Sequence, residues 1–323
     1  HSGSVLVAGR NPDRAVALRS RRIDVDDPAS IDAALVGVGT IVACVRQREP
    51  HLLRAAIRHG LAYTSIAPPW IDWPELQPLH QEAQRTGARI VLATGLEPGI
   101  ASVLARMAAD RLGQVDAVET ALLLSVGDTY GLDSMNFILE ELAQAYRILV
   151  HGQLQPARAF ADSVCVEFPA PIGRRRAYTM PFRDQLYYPQ TLGVRTAIAR
   201  ISIDPPWVGK LIAGLTRLGV RNLSAQPNRR VVIERLRAQL QQRYADHNQF
   251  SLLVEVRGGG GIVRLSLAGQ RQADATAAGA SATAEALADG EVDRPGIWLA
   301  EQVLDPGPFM SRLSAAGLIP VIH

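Results

Sequence analysis

An arginine follows the first apolar stretch of the chain at a position where it could bind a phosphate group. Residues Val5–Ala8 predict a buried strand that turns at Gly9, and Arg10 and Asn11 follow before a run suited to a helix. In a dinucleotide-binding sheet, the end of the second strand lies beside the adenosine ribose, where an arginine accommodates the 2′-phosphate of NADP. The planar guanidinium can bond two phosphate oxygens at once. The residue types therefore favour NADP over NAD, with a solvated turn as the alternative role of Arg10.

The segment Gly95–Ile100, with the sequence GLEPGI, is the candidate substrate-binding turn. Gly95 permits close backbone approach, Pro98 and Gly99 fix a turn, and the helix expected after them offers unpaired N–H groups to a substrate carboxylate. Glu97 could bind a substrate ammonium group. The alternative is a plain strand-to-helix turn that carries an acidic residue. Further polar and aromatic residues could line a substrate cleft or take surface or core roles instead: Tyr130, Ser134, Asp184, Tyr187 and Tyr188.

Other chemistries find little support in the residue spacing. The seven histidines show no spacing typical of a metal site, so no bound metal is predicted. The chain has no Gly-x-Ser-x-Gly motif, and Cys44 and Cys165 are too few for a disulfide framework. A hydride-transfer enzyme needs few catalytic side chains, because the cofactor carries the reactive bond.

Composition and charge exclude several classes of protein. With 323 residues, of which 47% are hydrophobic, the chain can form two domains, each with its own core. No apolar run is long enough to span a bilayer and no signal segment is recognisable, which predicts a cytoplasmic protein. The net charge is only +3. The arginine clusters are typical of solvent-exposed surfaces and contain no interleaved aromatic residues that could stack on bases, so no nucleic-acid partner is expected.

The predicted secondary-structure elements that position these residues differ between the first part of the chain and the rest. Residues 1–99 alternate strands and helices, which predicts a doubly wound parallel sheet with functional loops at the carboxyl ends of its strands. A short strand is expected at Arg22–Val25, and Thr40–Val45 is expected to be buried on both faces. From Ile100 onward, a mixed α+β region with a mostly antiparallel sheet is predicted. Its four glycines, Gly258–Gly261, predict a hairpin turn in preference to a phosphate loop, and a helix is expected over Ser134–Val150.

Four passages together resemble the saccharopine dehydrogenase (reductase) group of NADP-dependent oxidoreductases. They read VLVAGRNPDRA; IDVDDPASIDAALVGVGTIVACV; AAIRHGLAYTSIA followed by LATGLEPGIASVLA; and RPGIWLAEQVLDPGPFMSRLSAAGL. The resemblance covers most of residues 1–99 and the end of the chain. It implies a Rossmann-type domain over 1–99, an α+β substrate and dimerisation domain over 100–294, and a final segment, 295–323, that returns to the Rossmann domain.

The resemblance also implies roles for particular residues. It places Arg10 and Asn11 at the adenosine 2′-phosphate, Asp24 and Val25 beside the adenine, and Cys44, Val45 and Arg46 near the nicotinamide, with a small buried hydrophobe as the alternative role of Cys44. Tyr63 is the implied proton donor. Relatives often have Tyr-x-Asp where this chain has Tyr63, Thr64 and Ser65, so the carboxylate is absent here. Glu97 stands where many relatives have aspartate.

The activity implied by the resemblance is NADP-dependent hydride transfer to or from an imine or secondary amine of an amino-acid-derived small molecule, in a homodimer. Two alternatives remain open: a C=C or C=O reductase of the same superfamily, and a non-catalytic NADP-binding regulatory protein. The phosphate-binding Gly-rich turn of such a fold, with its strand and helix, would occupy about 25 to 30 residues before His1. We therefore expect an N-terminally truncated sequence.

Overall fold

The structure, a computed structural model, divides the chain into two units that each combine two separate stretches. Unit 1 comprises His1–Gly95 and Ala280–Asp305, and unit 2 comprises Leu96–Gly279 and Pro306–His323. The described residues are 4–12, 18–47, 49–66, 73–128, 141, 144–218, 235 and 238–323.

Parallel sheets form the centre of unit 1. One sheet has two strands, β1 (Leu6–Gly9) and β2 (Arg19–Arg22). The other has four strands in the order β14-β5-β4-β3, with all neighbours parallel. Their bounds are β3 (Thr40–Ala43), β4 (Ala62–Ser65), β5 (Arg89–Leu92) and β14 (Gly296–Leu299). Because all four strands run in one direction, their carboxyl ends meet at one edge of the sheet, as predicted for functional loops.

Three sequence-based expectations about these strands were wrong in detail, one of them the burial of β1, where Val7 is 36% exposed. The strand expected at Arg22–Val25 is observed at Arg19–Arg22, since the chain turns at Asp24, whose Oδ1 accepts a hydrogen bond from the Asp26 N–H at 3.1 Å. Strand β3 is not buried on both faces as expected, because the side chain of Val42 is 42% exposed. Among the described residues β3 pairs only with β4, so it lies at the edge of its sheet.

The helices of unit 1 begin and end at residues suited to those positions. They are α1 (Pro28–Ala34), α2 (His51–Arg58), α3 (Trp73–Thr86), the second half of α7 (Gln272–Ala288) and the short α8 (Ala300–Val303). Asp27 caps α1 by accepting a hydrogen bond from the Ala29 N–H at 3.0 Å, as the Asp-Pro sequence indicates. Gly60 follows α2 with φ +63°, and a Cβ there would lie 2.7 Å from the Thr86 carbonyl oxygen, so only glycine fits.

A nine-stranded, mostly antiparallel sheet dominates unit 2, as expected. Its main order is β15-β13-β12-β6-β11-β10-β9, while β7 pairs with β11 and β8. Only β11 and β6 run parallel within this sheet of described residues. The bounds are β6 (Val115–Ser125), β7 (Ala145–Val150), β8 (Gln153–Arg158), β9 (Ser163–Phe168), β10 (Gly173–Thr179), β11 (Thr196–Asp204), β12 (Gln249–Gly258), β13 (Gly261–Gln270) and β15 (Val321–Ile322).

Helices pack on this sheet at several places. They are α4 (Ile100–Leu112), α5 (Asp184–Thr191) and α6 (Pro206–Arg217), and unit 2 also contains α9 (Pro306–Ala315) and the first half of α7. Helix α4 lies against β12 and β13, whereas α5 and α6 lie against β11. Among the helices that the structure describes, none is long and apolar enough to cross a membrane.

Several predicted elements of unit 2 can be compared directly with the structure. The glycine-rich hairpin is confirmed, because Gly258 pairs with Gly261 across the turn. The helix expected over Ser134–Val150 was wrong at its end, where Ala145–Val150 form β7 and pair with β8. The branched and aromatic residues of this segment suit a strand. Most of the rest of that predicted helix lies outside the described residues.

Residues 295–323 were expected to return to the first domain as one segment. In the structure they are divided between the two units. Strand β14 joins the parallel sheet of unit 1, but 306–323 belong to unit 2. There Ile322 pairs with Leu265 of β13, and α9 packs on α4 and buries Phe309 and Leu313. The first boundary falls at Gly95, four residues before the expected one at 99.

Candidate functional site

The two strands of the smaller sheet bring the predicted adenosine-binding residues to one edge. Arg10 and Asn11 follow β1 directly and are exposed. The Ile23 N–H donates to the Gly9 carbonyl at 3.1 Å, which extends the pairing and sets Asp24 at the same edge. The backbone N–H of Asp24 donates to Ser30 Oγ at 2.9 Å. A guanidinium and a carboxylate therefore lie at the carboxyl edge of a parallel sheet.

The residues predicted near the nicotinamide follow β3 in the four-stranded sheet. Cys44, Val45 and Arg46 are all exposed. The alternative role of Cys44 as a small buried hydrophobe is therefore wrong, because the residue follows an edge strand. Val45, at 46% exposure, presents an apolar surface at this edge.

Tyr63 of β4, the implied proton donor, is almost completely buried, with 1% exposure. Its hydroxyl accepts a hydrogen bond from Gln47 Nε2 at 3.2 Å, and Gln47 Oε1 accepts from the Leu52 N–H at 3.2 Å. Burial raises the pKa of Tyr63 to about 12. The hydroxyl therefore stays protonated at neutral pH and links β4 to the start of α2.

The stretch from Ala93 to Gly99 joins β5 to α4 through unusual backbone conformations. Ala93 has φ +59° and Gly99 has φ +132°. For alanine such a left-handed conformation costs about 1–2 kcal/mol. The Thr94 N–H donates to the Ser65 carbonyl at 2.9 Å, which ties this stretch to the end of β4. Backbone strain of this kind accumulates at functional sites.

The predicted anion site at the start of α4 is partly occupied by the chain itself. Gly95, Pro98, Gly99 and the first turn of the helix are buried. The Ala101 N–H donates to the Leu96 carbonyl at 3.0 Å. That donor is consequently committed to the turn and is not available to a substrate carboxylate.

Glu97 carries a carboxyl group whose pKa is strongly raised. Its Oε1 accepts a hydrogen bond from the Thr120 hydroxyl on β6. Its Oε2 is shielded from solvent and has no hydrogen-bond partner among the described residues, although other atoms of the side chain keep some exposure. Burial raises the pKa of Glu97 well above its ordinary range, and the nearby carboxyl group of Asp184 raises it further.

Asp184, the first residue of α5, is the second buried carboxyl group of the site. Burial raises its pKa to about 6, although two donors favour the ionised form: the Tyr188 hydroxyl at 3.0 Å and the Gln185 N–H at 2.9 Å. The Gln185 side chain is itself anchored by carbonyls of Met180 and Phe182 and by the Ala199 N–H. The geometry of Asp184 is therefore fixed by the fold.

Together these residues form a buried carboxyl pair within unit 2. Two adjacent carboxyl groups with little access to water resist simultaneous ionisation, so the pair retains a proton at a pH where isolated carboxyls have lost it. Thr120 was missed by sequence reasoning, because the sequence of β6, VDAVETALLLS, has no pattern that singles out its hydroxyl. Asp184 and Tyr188 were named only as possible cleft residues. Tyr130 and Ser134 lie outside the described residues.

No family model and no curated protein matches the sequence. The structure is similar to apo saccharopine dehydrogenase (L-Glu forming) from Saccharomyces cerevisiae, with a TM-score of 0.69 and 14% sequence identity. The similarity covers 99% of this chain and 94% of that one. The fold is a Rossmann-type α/β fold. The predicted fold class is thereby confirmed.

Two other dehydrogenases resemble the chain more distantly. Amine dehydrogenase from Mycobacterium smegmatis has a TM-score of 0.42 and 10% identity over 90% of this chain and 81% of that one. The WlbA dehydrogenase from Thermus thermophilus, in complex with NAD and UDP-GlcNAcA, has a TM-score of 0.39 and 17% identity over 97% of this chain and 85% of that one. Likenesses of this degree support no conclusion about function.

Proposed function

We propose that this Rossmann-type protein is an oxidoreductase that uses NADP(H) and acts on the carbon–nitrogen bond of an amino-acid-derived imine or secondary amine. The observation that carries this proposal is the Glu97 carboxyl group, which is buried beside Asp184 and has one oxygen without a partner among the described residues. A perturbed carboxyl group with a vacant oxygen is typical of a site that exchanges a proton with a ligand.

The residues at the strand ends of unit 1 fit a dinucleotide. The exposed guanidinium of Arg10 suits a phosphate, because its planar fork can bond two oxygens. Arg10 and Asn11 would hold the 2′-phosphate, Asp24 and Val25 would contact the adenine, and Cys44–Arg46 would lie toward the nicotinamide. The cofactor supplies the hydride when bound.

Glu97 is the proposed proton carrier. Reduction of an imine to an amine takes a hydride at carbon and a proton at nitrogen. Because Thr120 donates to Oε1, the proton of the neutral carboxyl group resides on Oε2, from which it can pass to a substrate nitrogen. In the reverse direction Glu97 begins as a carboxylate, whose negative charge suits binding of an ammonium group as predicted, and it then accepts the proton released from the substrate nitrogen.

Tyr63 stays a predicted proton donor. Its burial and its bond to Gln47 favour a role in holding β4 against α2, and they favour Glu97 over Tyr63 as the group that exchanges a proton with substrate.

A turnover assay tests the proposed function. The protein is mixed with NADPH, a panel of amino acids and a panel of 2-oxo acids or aldehydes, and oxidation of the nicotinamide is followed by absorbance. We expect turnover with at least one amine and carbonyl pair, and faster turnover with NADPH than with NADH. Tight NADPH binding with no turnover for any pair would contradict the proposal and favour a non-catalytic NADP-binding protein.

The proposal includes a homodimer, as the resemblance implies. Light scattering coupled to size-exclusion chromatography measures this directly. A mass of one chain across the micromolar concentration range would contradict it.

A further inference from the structure

Helix α6 exposes a continuous apolar stripe. The stripe consists of Trp207, Leu211, Leu215 and Leu218, which are 48%, 52%, 36% and 80% exposed. Spacings of three and four residues place these side chains on one face of the helix, with Leu218 directly after its last turn. Single exposed leucines are ordinary on protein surfaces, but an aligned row of four apolar side chains marks an interaction surface.

The opposite face of α6 fixes the helix on the sheet of unit 2. Val208, Gly209 and Ala213 are buried, and the helix packs on β10 and β11. A Cβ at Gly209 would lie 2.9 Å from the Tyr178 ring, so the helix approaches the sheet at a distance that only glycine allows. This face is buried against the sheet, whereas the side chains of the stripe on the other face are exposed.

The sequence that contains α6 carries charge of one sign. Residues 205–233 contain no aspartate or glutamate, in a chain that has 31 acidic residues. The same stretch contains five cations: Lys210, Arg217, Arg221, Arg229 and Arg230. Lys210, the only lysine of the chain, and Arg217 are exposed on α6 itself beside the stripe.

We propose that this face of α6, the apolar stripe with its flanking cations, binds the surface of an anionic lipid bilayer. A helix that lies in the interface buries its apolar side chains at the acyl boundary, while its basic residues contact acidic headgroups. Trp207 suits the boundary itself, because the indole is an apolar ring with a polar N–H, which here donates to the Tyr244 hydroxyl at 3.2 Å.

A second copy of the chain fits this surface less well than lipid does. In a two-fold symmetric contact the same patch meets itself, so Lys210 and Arg217 of both copies would lie in one interface. No acidic residue of the surrounding stretch is present to pair with them. Like charges across an interface oppose association, whereas an acidic bilayer neutralises them.

Vesicle flotation tests the proposal. We expect the protein to float with vesicles of phosphatidylcholine and phosphatidylserine, to bind pure phosphatidylcholine about ten-fold more weakly, and to lose binding as salt is added. The double variant Leu211→Glu with Leu215→Glu removes the apolar contact, and Lys210→Glu with Arg217→Glu reverses the charge. Each should weaken binding to the acidic vesicles by about ten-fold or more.

The matched control is the double variant Leu154→Glu with Ile262→Glu. These side chains are 55% and 50% exposed and lie on β8 and β13, away from α6. Thermal unfolding verifies that all variants fold. Absence of flotation by the folded wild-type protein, or an equal loss in the control, would overturn the proposal.

Fluorescence gives a second readout that does not depend on enzymatic activity. Brominated lipid should quench the tryptophan emission of the wild-type protein in acidic vesicles, and Trp207→Phe should remove most of that quenching. The Leu211→Glu, Leu215→Glu variant could instead have a different oligomeric mass in solution from the wild-type protein, with neither protein binding vesicles. In that case the stripe is a protein interface and the lipid proposal is wrong.

Discussion

The Thr120 hydroxyl donates a hydrogen bond to Oε1 of Glu97, which leaves Oε2 as the oxygen that can carry the proton of this buried carboxyl group. Thr120 lies on β6 and Glu97 precedes α4, so the central strand of unit 2 orients a side chain at the turn where α4 begins. The bond favours the ionised form, but burial and Asp184 act in the opposite direction. The balance of these effects is what makes the group a candidate for proton exchange.

Replacing Glu97 with glutamine tests its role as proton carrier. The amide keeps the volume and can still accept from Thr120, but it cannot transfer a proton. With a substrate pair identified by the turnover assay, we expect kcat to fall by about 10²–10⁴-fold, the usual range for loss of a general acid or base. Glu167→Gln, at an exposed position of β9, is the control. An unchanged kcat in Glu97→Gln would exclude Glu97 as the proton carrier.

The pKa of Asp184 predicts how stability depends on pH. A carboxyl group whose pKa is raised to about 6 in the folded chain, from an ordinary value of 3.8, binds its proton more tightly when folded than when unfolded. The free energy of unfolding therefore falls as pH rises between these two values, by on the order of 3 kcal/mol for this one group. Glu97, whose pKa is also raised, contributes in the same direction.

Asp184→Asn should flatten that dependence and raise the melting temperature at pH 7, because the amide remains neutral throughout. The Tyr188 hydroxyl can rotate to suit the amide, so the local hydrogen bond is retained. Melting temperatures across a pH series provide the measurement, with Asp116→Asn at an exposed site as the control. If the melting temperature of the variant depended on pH as that of the wild-type protein does, Asp184 would not be the source of the pH dependence.

Arg10→Ala tests the cofactor preference. Loss of a charge-assisted bidentate contact should weaken NADPH binding by about ten-fold or more and leave NADH binding nearly unchanged. Titration of cofactor fluorescence measures both affinities. Arg54→Ala, which removes an exposed cation from α2 in the same unit, controls for net charge. Equal losses for both cofactors in Arg10→Ala would refute the proposed phosphate contact.

Tyr63→Phe separates a structural role from a chemical one. The variant leaves the Gln47 amide without its acceptor, so we expect the free energy of unfolding to fall by about 1 kcal/mol. Turnover should stay within a few-fold of the wild-type value if Glu97 carries the proton. A loss of about 100-fold in kcat with unchanged cofactor affinity would instead support Tyr63 as the proton donor.

Local patterns in the sequence predicted the strands and helices that depend on short-range signals. The glycine hairpin between β12 and β13 and the helix α4 that follows the turn at Gly95–Ile100 are examples. Assignments that depend on partners distant in the chain were less accurate. The exposure of Val42 follows from the pairing of β3, and the division of the last segment follows from the pairing of β15 with β13.

The same distinction applies to the candidate site. Glu97 was identified because it sits in a recognisable turn of glycine and proline. Its partners Thr120 and Asp184 come from a strand and a helix that follow it at increasing distance along the chain, and nothing in their immediate neighbours indicates that they interact with Glu97. Burial, which perturbs both carboxyl groups, is a property of the folded core and cannot be read from spacing.

The pairing of β14 with β5, in which Gly296 lies beside Arg89, also constrains how the protein is made. A ribosome releases β5 long before β14, so during synthesis β5 has an open edge on the side where β14 later binds. Unpaired strand edges are templates for association with other chains. The nascent chain therefore passes through an interval in which this edge is vulnerable to aggregation, and slowing translation before β14 should lower the yield of folded protein.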